Sequence, residues 1–309
     1  MKRRVLEAAS ADEGRTLSEF LSAHLNLQVE EAVRLVTQGA VYLGGRRCQR
    51  PGEPLRAGAK VLAVLEERGI GALSRPEQPR SAVRVLFEDA EVLTVDKPAG
   101  MTSQATQSRA GDSLWDWARA HAGLEVGLVH RLDRETSGVM VFGKGWEATA
   151  SLAAQFKEGS ARKRYLAVTG PGLPEAGVVD LPLSKDRTRI GRRVATRHAH
   201  GEAAVTEYRR LYGGAEFCLL ELRPKTGRTH QIRAHLRAVG APVAGDRLYE
   251  GLKQISGRAV ERCLLHALSL TVRHPATGKV VTWDAPPPAD IDAFLRLADV
   301  RLTASGEGG

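Results

Sequence analysis

From Ala82 onward, short apolar segments come in pairs separated by only a few turn-forming residues, and that pattern rules out most folds. VRVLF and VLTV flank Glu88-Asp89-Ala90-Glu91, and LLHALSLTV and KVVTWDA flank HPATG. Strands joined so closely must run antiparallel, because a parallel pair needs a crossover of a dozen residues or more. RYLAVTG, AVTEYRRLY and FCLLELR read as further strands, and VMVF as a fully buried one. WEATASLAAQFKEG and THQIRAHLRAVG carry helical spacing, the second ended by Gly240. Strands outnumber helices, so the expected class is α+β with a mixed, largely antiparallel central sheet rather than a doubly wound one.

A smaller unit precedes this region. Thr16-x-x-Glu19 is a capping box ahead of Leu17, Phe20, Leu21 and Leu25. A second helix is expected over 30–38, with Ala32, Val33 and Val36 inward and Gly39 at its end. AVYLGGRRCQ then reads as a hairpin around Gly44-Gly45, and KVLAVLE as a closing strand. Residues 67–81 are rich in Gly, Pro and charge without periodicity and are expected to be a linker. The division is thus 1–66, a linker 67–81, a main domain 82–300 and a frayed tail 301–309.

Charge narrows the partner. The chain carries a formal +9. Residues 157–237 hold 17 Lys/Arg against 8 Asp/Glu, which equals the whole excess. A concentrated basic surface suits a polyanion, most often nucleic acid. No run of eighteen apolar residues occurs, so no membrane span is expected. The basic N-terminus lacks an apolar h-region, so no signal peptide is expected. Cys48, Cys218 and Cys263 form neither a disulfide framework nor a zinc pattern, and a reduced cytoplasmic location is expected.

Four charged clusters sit at strand ends or helix starts: Asp96-Lys97-Pro98-Ala99-Gly100, LVHRLDRETSG (128–138), Lys163-Arg164-Tyr165, and Lys225 to Arg233. In the second, Asp133 lies between two Arg residues and just before VMVF, so neighbouring positive charge favours its ionised form. In the fourth, Arg228 and Thr229 stand at a helix start, where phosphate is attracted. Arg233 shares a helix face with Ile232 or Leu236; pointing inward, it needs a buried carboxylate, and Asp133 is the candidate. His198-Ala199-His200 lacks ligand spacing, and His130, His230 and His266 are scattered, so no metal is expected. Neither G-x-x-x-x-G-K-[ST] nor G-x-G-x-x-G after a strand occurs, so no nucleotide cofactor is expected, and the nucleophile elbow G-x-S-x-G is absent too.

These segments, in order, resemble the RluA-type RNA pseudouridine synthases. HRLDRETSG (130–138) is similar to that family's signature. VDKPAGM, KRYLAVTG, LRPKTGRTHQIRAHL, APVAGDRLYEG and LLHALSLTVRHPATG are similar to its other segments. TSQATQ, after DKPAGM, departs from the apolar-His-Pro run common there. Residues 14–66 resemble the alpha-L (S-four type) RNA-binding domain. The resemblance implies an isomerase that needs no cofactor. Asp133 would be its essential carboxylate, Tyr165 would pack against the base and help handle protons, and Arg233 would pair with Asp133. Arg131 would fill the space left by the flipped nucleotide. His130, Lys97, Arg228, Thr229 and His230 are expected substrate contacts. The expected partner is RNA, with large-subunit ribosomal RNA ahead of transfer RNA, and the expected state a monomer. A non-catalytic RNA-binding assembly factor and a metal hydrolase are the competing readings.

Overall fold

The computed structural model describes residues 2–37, 40–65, 83–105, 113–123, 125–186, 192–195 and 201–302. The expected linker 67–81, Gln38-Gly39, the His198-Ala199-His200 stretch and tail residues 303–309 lie outside them. The chain divides into two compact units, the first holding residues 2–65 and the second residues 83–104 and 113–302.

In the first unit, β1 (Lys2–Glu7), α1 (Leu17–Leu25), α2 (Val29–Thr37), β2 (Val41–Leu43), β3 (Arg46–Cys48) and β4 (Lys60–Leu65) follow in order. The strands form one antiparallel sheet, ordered β1-β4-β2-β3. The Thr16 hydroxyl accepts from the Glu19 amide, and the Glu19 carboxylate accepts from the Thr16 amide, as the capping box requires. Gly44 and Gly45 both have positive φ, which the tight hairpin between β2 and β3 demands. Leu17, Phe20, Leu21, Ala32 and Val36 pack with Val41, Val61 and Ala63 to make this unit's own core. Strand β1 has no counterpart in the sequence reading. It is an edge strand with Val5 exposed, so it lacks the alternation that marks a half-buried strand.

The second unit comprises β5 (Arg84–Glu88), β6 (Val92–Lys97), α3 (Leu114–Ala122), β7 (Val126–Leu128), β8 (Ser137–Lys144), α4 (Trp146–Glu158), β9 (Arg162–Thr169) and β10 (Ala176–Asp180). These are followed by β11 (Leu183–Lys185), β12 (Arg193–Ala195), β13 (Val205–Gly213), β14 (Cys218–Pro224) and α5 (Gln231–Ala238). The last elements are β15 (Gln254–Ile255), β16 (Arg258–Ala259), β17 (Leu265–Arg273), β18 (Val280–Asp284) and α6 (Ala289–Leu297). The main sheet runs β10-β13-β14-β9-β17-β8-β6-β5, with β18 added to β17 and β7 to β8. Among the described strands only β17 and β8 pair in parallel, through His266–Ser137 and Ala267–Gly138. The architecture is therefore α+β with a mostly antiparallel sheet. α5 covers one face, where Ile232 and Leu236 pack on Leu220 and Leu222. α6 covers part of the other, where Ile291 and Leu295 pack on Leu166, Val168 and Leu219. Helix α3, capped reciprocally by Ser113 and Asp116, is absent from the sequence reading although Ser113-x-x-Asp116 marks its start. Among the described residues no helix is long and apolar enough to cross a membrane.

Candidate active site

The loop that leads into β8 carries Asp133, and the segment after β6 pins that loop. The Lys97 ammonium donates to three carbonyls, those of Met101 (2.8 Å), Pro98 (2.9 Å) and Arg134 (3.2 Å). Arg134 returns a bond from Nε to the Gly100 carbonyl (2.8 Å). Ser103 Oγ donates to the Leu132 carbonyl and accepts from the Leu132 amide. DKPAGMTS and HRLDRETSG, separated by 26 residues in sequence, thus form one cradle. Lys97, expected among the substrate contacts, is fully buried beneath it and does not line the cavity. Burial pulls its pKa down to about 7, opposed by the charge of Asp133, yet three carbonyls occupy all three hydrogens of the charged form. On the far side of the loop, Gly138 has φ +117°, and a Cβ there would lie 2.2 Å from the Ala267 carbonyl oxygen. Only glycine permits that approach, which brings the start of β8 against β17.

Arg233 reaches the loop from α5. Its Nη1 donates to Asp133 Oδ2 at 2.8 Å. The rest of its guanidinium is taken by Asp246: Nε donates to Oδ2 at 2.6 Å and Nη2 to Oδ1 at 2.9 Å. Asp246 is 1% exposed and also accepts from the Leu248 and Tyr249 amides. Burial alone would lower the Arg233 pKa; the hydrogen bond to Asp246 and the charges of both carboxylates outweigh it and raise the value. Arg233 also sits over the Tyr249 ring, 5.1 Å from its centroid. Gln231 fixes the start of the helix. Its side-chain oxygen accepts from Thr226 Oγ1 and the Arg228 amide, and its nitrogen donates to the Val205 carbonyl and Thr206 Oγ1.

Asp133, Tyr165, Arg233 and His230 open onto one cavity of about 300 Å³, also lined by Arg131 and Lys163. Tyr165 stands on β9 opposite Leu222 of β14. Burial, reinforced by the Asp133 charge, raises the phenol's pKa, so it stays protonated at neutral pH. His230, in the left-handed region at φ +56°, has Nε2 3.8 Å from Asp133 Oδ2 and Nδ1 3.3 Å from the Tyr249 hydroxyl. Burial lowers its pKa despite the nearby carboxylates. His130 Nε2 accepts from the Val141 amide, its ring stacks on Phe156 at 4.4 Å, and burial, assisted by the Lys163 charge, drives its pKa down to about 3. Arg131 is exposed and donates to Thr229 Oγ1 at 3.0 Å, which holds it over the opening. Arg228 lines the cavity and donates from Nε to the Ala203 carbonyl. Thr229 acts through Arg131 and is not itself part of the lining.

Asp246, Gln231 and Tyr249 lie in segments the sequence singles out but are assigned no role there. The demand of an inward arginine for a carboxylate pointed to Asp133 alone, whereas two of the three guanidinium contacts go to Asp246. Its only signal was its place in APVAGDRLYEG.

The chain has relatives among known proteins. Residues 91–238 match the family model described as RNA pseudouridylate synthase. A ribosomal large subunit pseudouridine synthase D of Zymomonas mobilis is 33% identical over 229 residues, covering 70% of this chain and 72% of that one. The chain belongs to the RNA pseudouridine synthase family. An uncharacterised RNA pseudouridine synthase of Chloroflexus aurantiacus is 33% identical over 98% of this chain and 96% of its own length. The solved structure of human RNA pseudouridylate synthase domain containing 4 superposes with a TM-score of 0.58 at 25% identity, over 72% of this chain and 95% of that one. As a pseudouridine synthase, the enzyme is an isomerase acting on RNA.

Proposed function

We propose that this synthase isomerises uridine in large-subunit ribosomal RNA, with Asp133 as the carboxylate that works on the sugar. The observation that carries the reading is the Arg233 Nη1–Asp133 Oδ2 bond at 2.8 Å, in a cavity that also holds Tyr165. The reaction breaks the N1–C1′ bond, turns the base and joins C5 to C1′, with one proton leaving C5 and one reaching N1. A carboxylate beside the anomeric carbon can attack it or stabilise its positive charge, as in glycoside hydrolysis. Arg233, locked by Asp246, holds the Asp133 carboxylate in place through a charge-assisted hydrogen bond. Tyr165 offers a π-face to the base, an interaction of roughly 1–3 kcal/mol in nucleic-acid complexes. Extruding the uridine costs a few kcal/mol, and Arg131, at the opening, offsets part of that by filling the gap. His130, Arg228, Thr229 and His230 shape the surrounding contacts, while Lys97 serves the loop from beneath.

The target class rests on the relatives named for the large ribosomal subunit and on the first unit, whose two helices on a small antiparallel sheet suit an alpha-L RNA-binding domain. In this reading the enzyme is a cytoplasmic monomer. Incubating purified protein with unmodified large-subunit rRNA transcript and, separately, with bulk transfer RNA, then mapping pseudouridine, tests it. Product in the rRNA is expected. Product in transfer RNA alone would overturn the target, and product in neither would overturn the activity on both classes.

A further inference from the structure

Side chains alternate across a strand, so the strands that line the cavity also present a second surface. On β9, Lys163 and Tyr165 face the cavity, while Arg164 lies on the opposite face with Leu166 and Val168. On β14 the residues facing the same way are Leu219, Glu221 and Arg223, and on β13 they are Glu207, Arg209 and Leu211. Helix α6 covers the leucine end of this face through Ile291 and Leu295. The other end carries charge. Glu221, 3% exposed, lies beneath three guanidiniums: Arg164 Nη2 at 2.6 Å, Arg223 Nη2 at 2.9 Å and Arg209 Nη2 at 3.9 Å. Arg164 and Arg223 occupy both carboxylate oxygens. Arg209 adds a charge that the single carboxylate does not balance, and it is 62% exposed, as Arg223 is 56% exposed. Lys225 stands beside them, paired with Glu207 at 2.9 Å.

Arg209 and Arg223, exposed beside Lys225, make a surface that calls for an anion. The position of the cluster indicates which anion. Arg223 and Lys225 run directly into Thr226, Gly227 and Arg228, which line the cavity on the other side of the sheet, and Lys163 Nζ donates to the Thr226 carbonyl. A basic strip therefore passes around the end of β14 from one face to the other. We infer that Arg209 and Arg223 on the back of the sheet bind phosphates of the RNA strand flanking the target uridine, so that the substrate wraps around the β14 turn. This rests on RNA being the substrate and deepens that reading: the enzyme would favour long structured RNA over a short strand that fills only the cavity.

The test measures binding of full-length enzyme to an unmodified large-subunit rRNA transcript and to a twelve-nucleotide single strand across a salt series. Arg209→Gln/Arg223→Gln is expected to weaken transcript binding about tenfold or more near 0.1 M salt and to reduce the log–log salt slope by about two, roughly one per lost phosphate contact. Binding of the short strand stays unchanged, and Arg209→Lys/Arg223→Lys, which keeps both charges, restores most of the loss. Should the double variant fold poorly, Arg209→Gln alone leaves Glu221 paired and is expected to shift the slope by about one. An unchanged slope on the transcript, or equal losses on both RNAs, would overturn the inference. Pseudouridine formation is not read in this assay, so its outcome is separate from that of the activity test.

Discussion

Replacing Asp246 by Asn removes one charge and changes almost nothing in volume, which isolates what that carboxylate does. Asp246 accepts from Arg233 twice, at 2.6 and 2.9 Å, while 1% exposed. Asn can still accept from the Leu248 and Tyr249 amides through one oxygen, but its NH₂ then faces a guanidinium N–H, donor against donor. Breaking a buried ion pair on one side costs about 3–5 kcal/mol, because the remaining charge keeps its desolvation penalty. Asp133 is still in contact with Arg233, so the lower end of that range, about 3 kcal/mol, is expected. Urea unfolding of wild type and variant at pH 7 measures it. Losing the bidentate lock also lets the guanidinium turn relative to Asp133, and a misplacement near 1 Å costs about a hundredfold in rate. Single-turnover pseudouridine formation should therefore slow by that order, with RNA affinity nearly unchanged. A variant that loses less than about 1 kcal/mol and keeps wild-type turnover would refute the idea that Asp246 orients the catalytic pair.

Further outcomes follow from other parts of the site. Gly138→Ala places a methyl 2.2 Å from the Ala267 carbonyl at φ +117°; a loss of about 3 kcal/mol or more and of activity is expected, and a variant as stable as wild type would contradict the close approach of β8 to β17. Stability should also fall as pH drops below 6.5, because burial, with secondary help from Lys163, holds His130 down to about 3, and burial holds His266 to about 4. The unfolded chain binds these protons first, so each histidine removes about 1.4 kcal/mol per pH unit between 6.5 and its folded value. Urea titrations at pH 7 and 5.5 that coincide would count against neutral buried histidines. Deleting residues 1–70 should weaken RNA affinity while the second unit, which has its own cores, unfolds cooperatively; a fragment that cannot fold would contradict two separate domains.

What the sequence revealed and what it hid divide along physical lines. The main strands and helices α4 and α5 were legible because their apolar periodicity and short turns are local signals. The Asp133–Arg233 pairing was legible through the family resemblance, since an inward arginine on an apolar helix face demands a carboxylate without saying which. Asp246 was not, because nothing local distinguishes a buried aspartate from a solvated one. Lys97 was misplaced for the mirror-image reason: a lysine at a strand end looks like a surface contact until three backbone carbonyls 2.8–3.2 Å away surround it. Strand β1 escaped because an edge strand with an exposed valine has no buried face to announce it.

Asp133→Asn tests the central claim most directly, since it keeps the side chain's shape and removes only its charge. Incubated with an RNA that the wild type modifies, the variant is expected to bind with affinity close to wild type and to form no pseudouridine. Turnover at the wild-type rate would show that the Asp133 carboxylate is not the group that acts on the ribose.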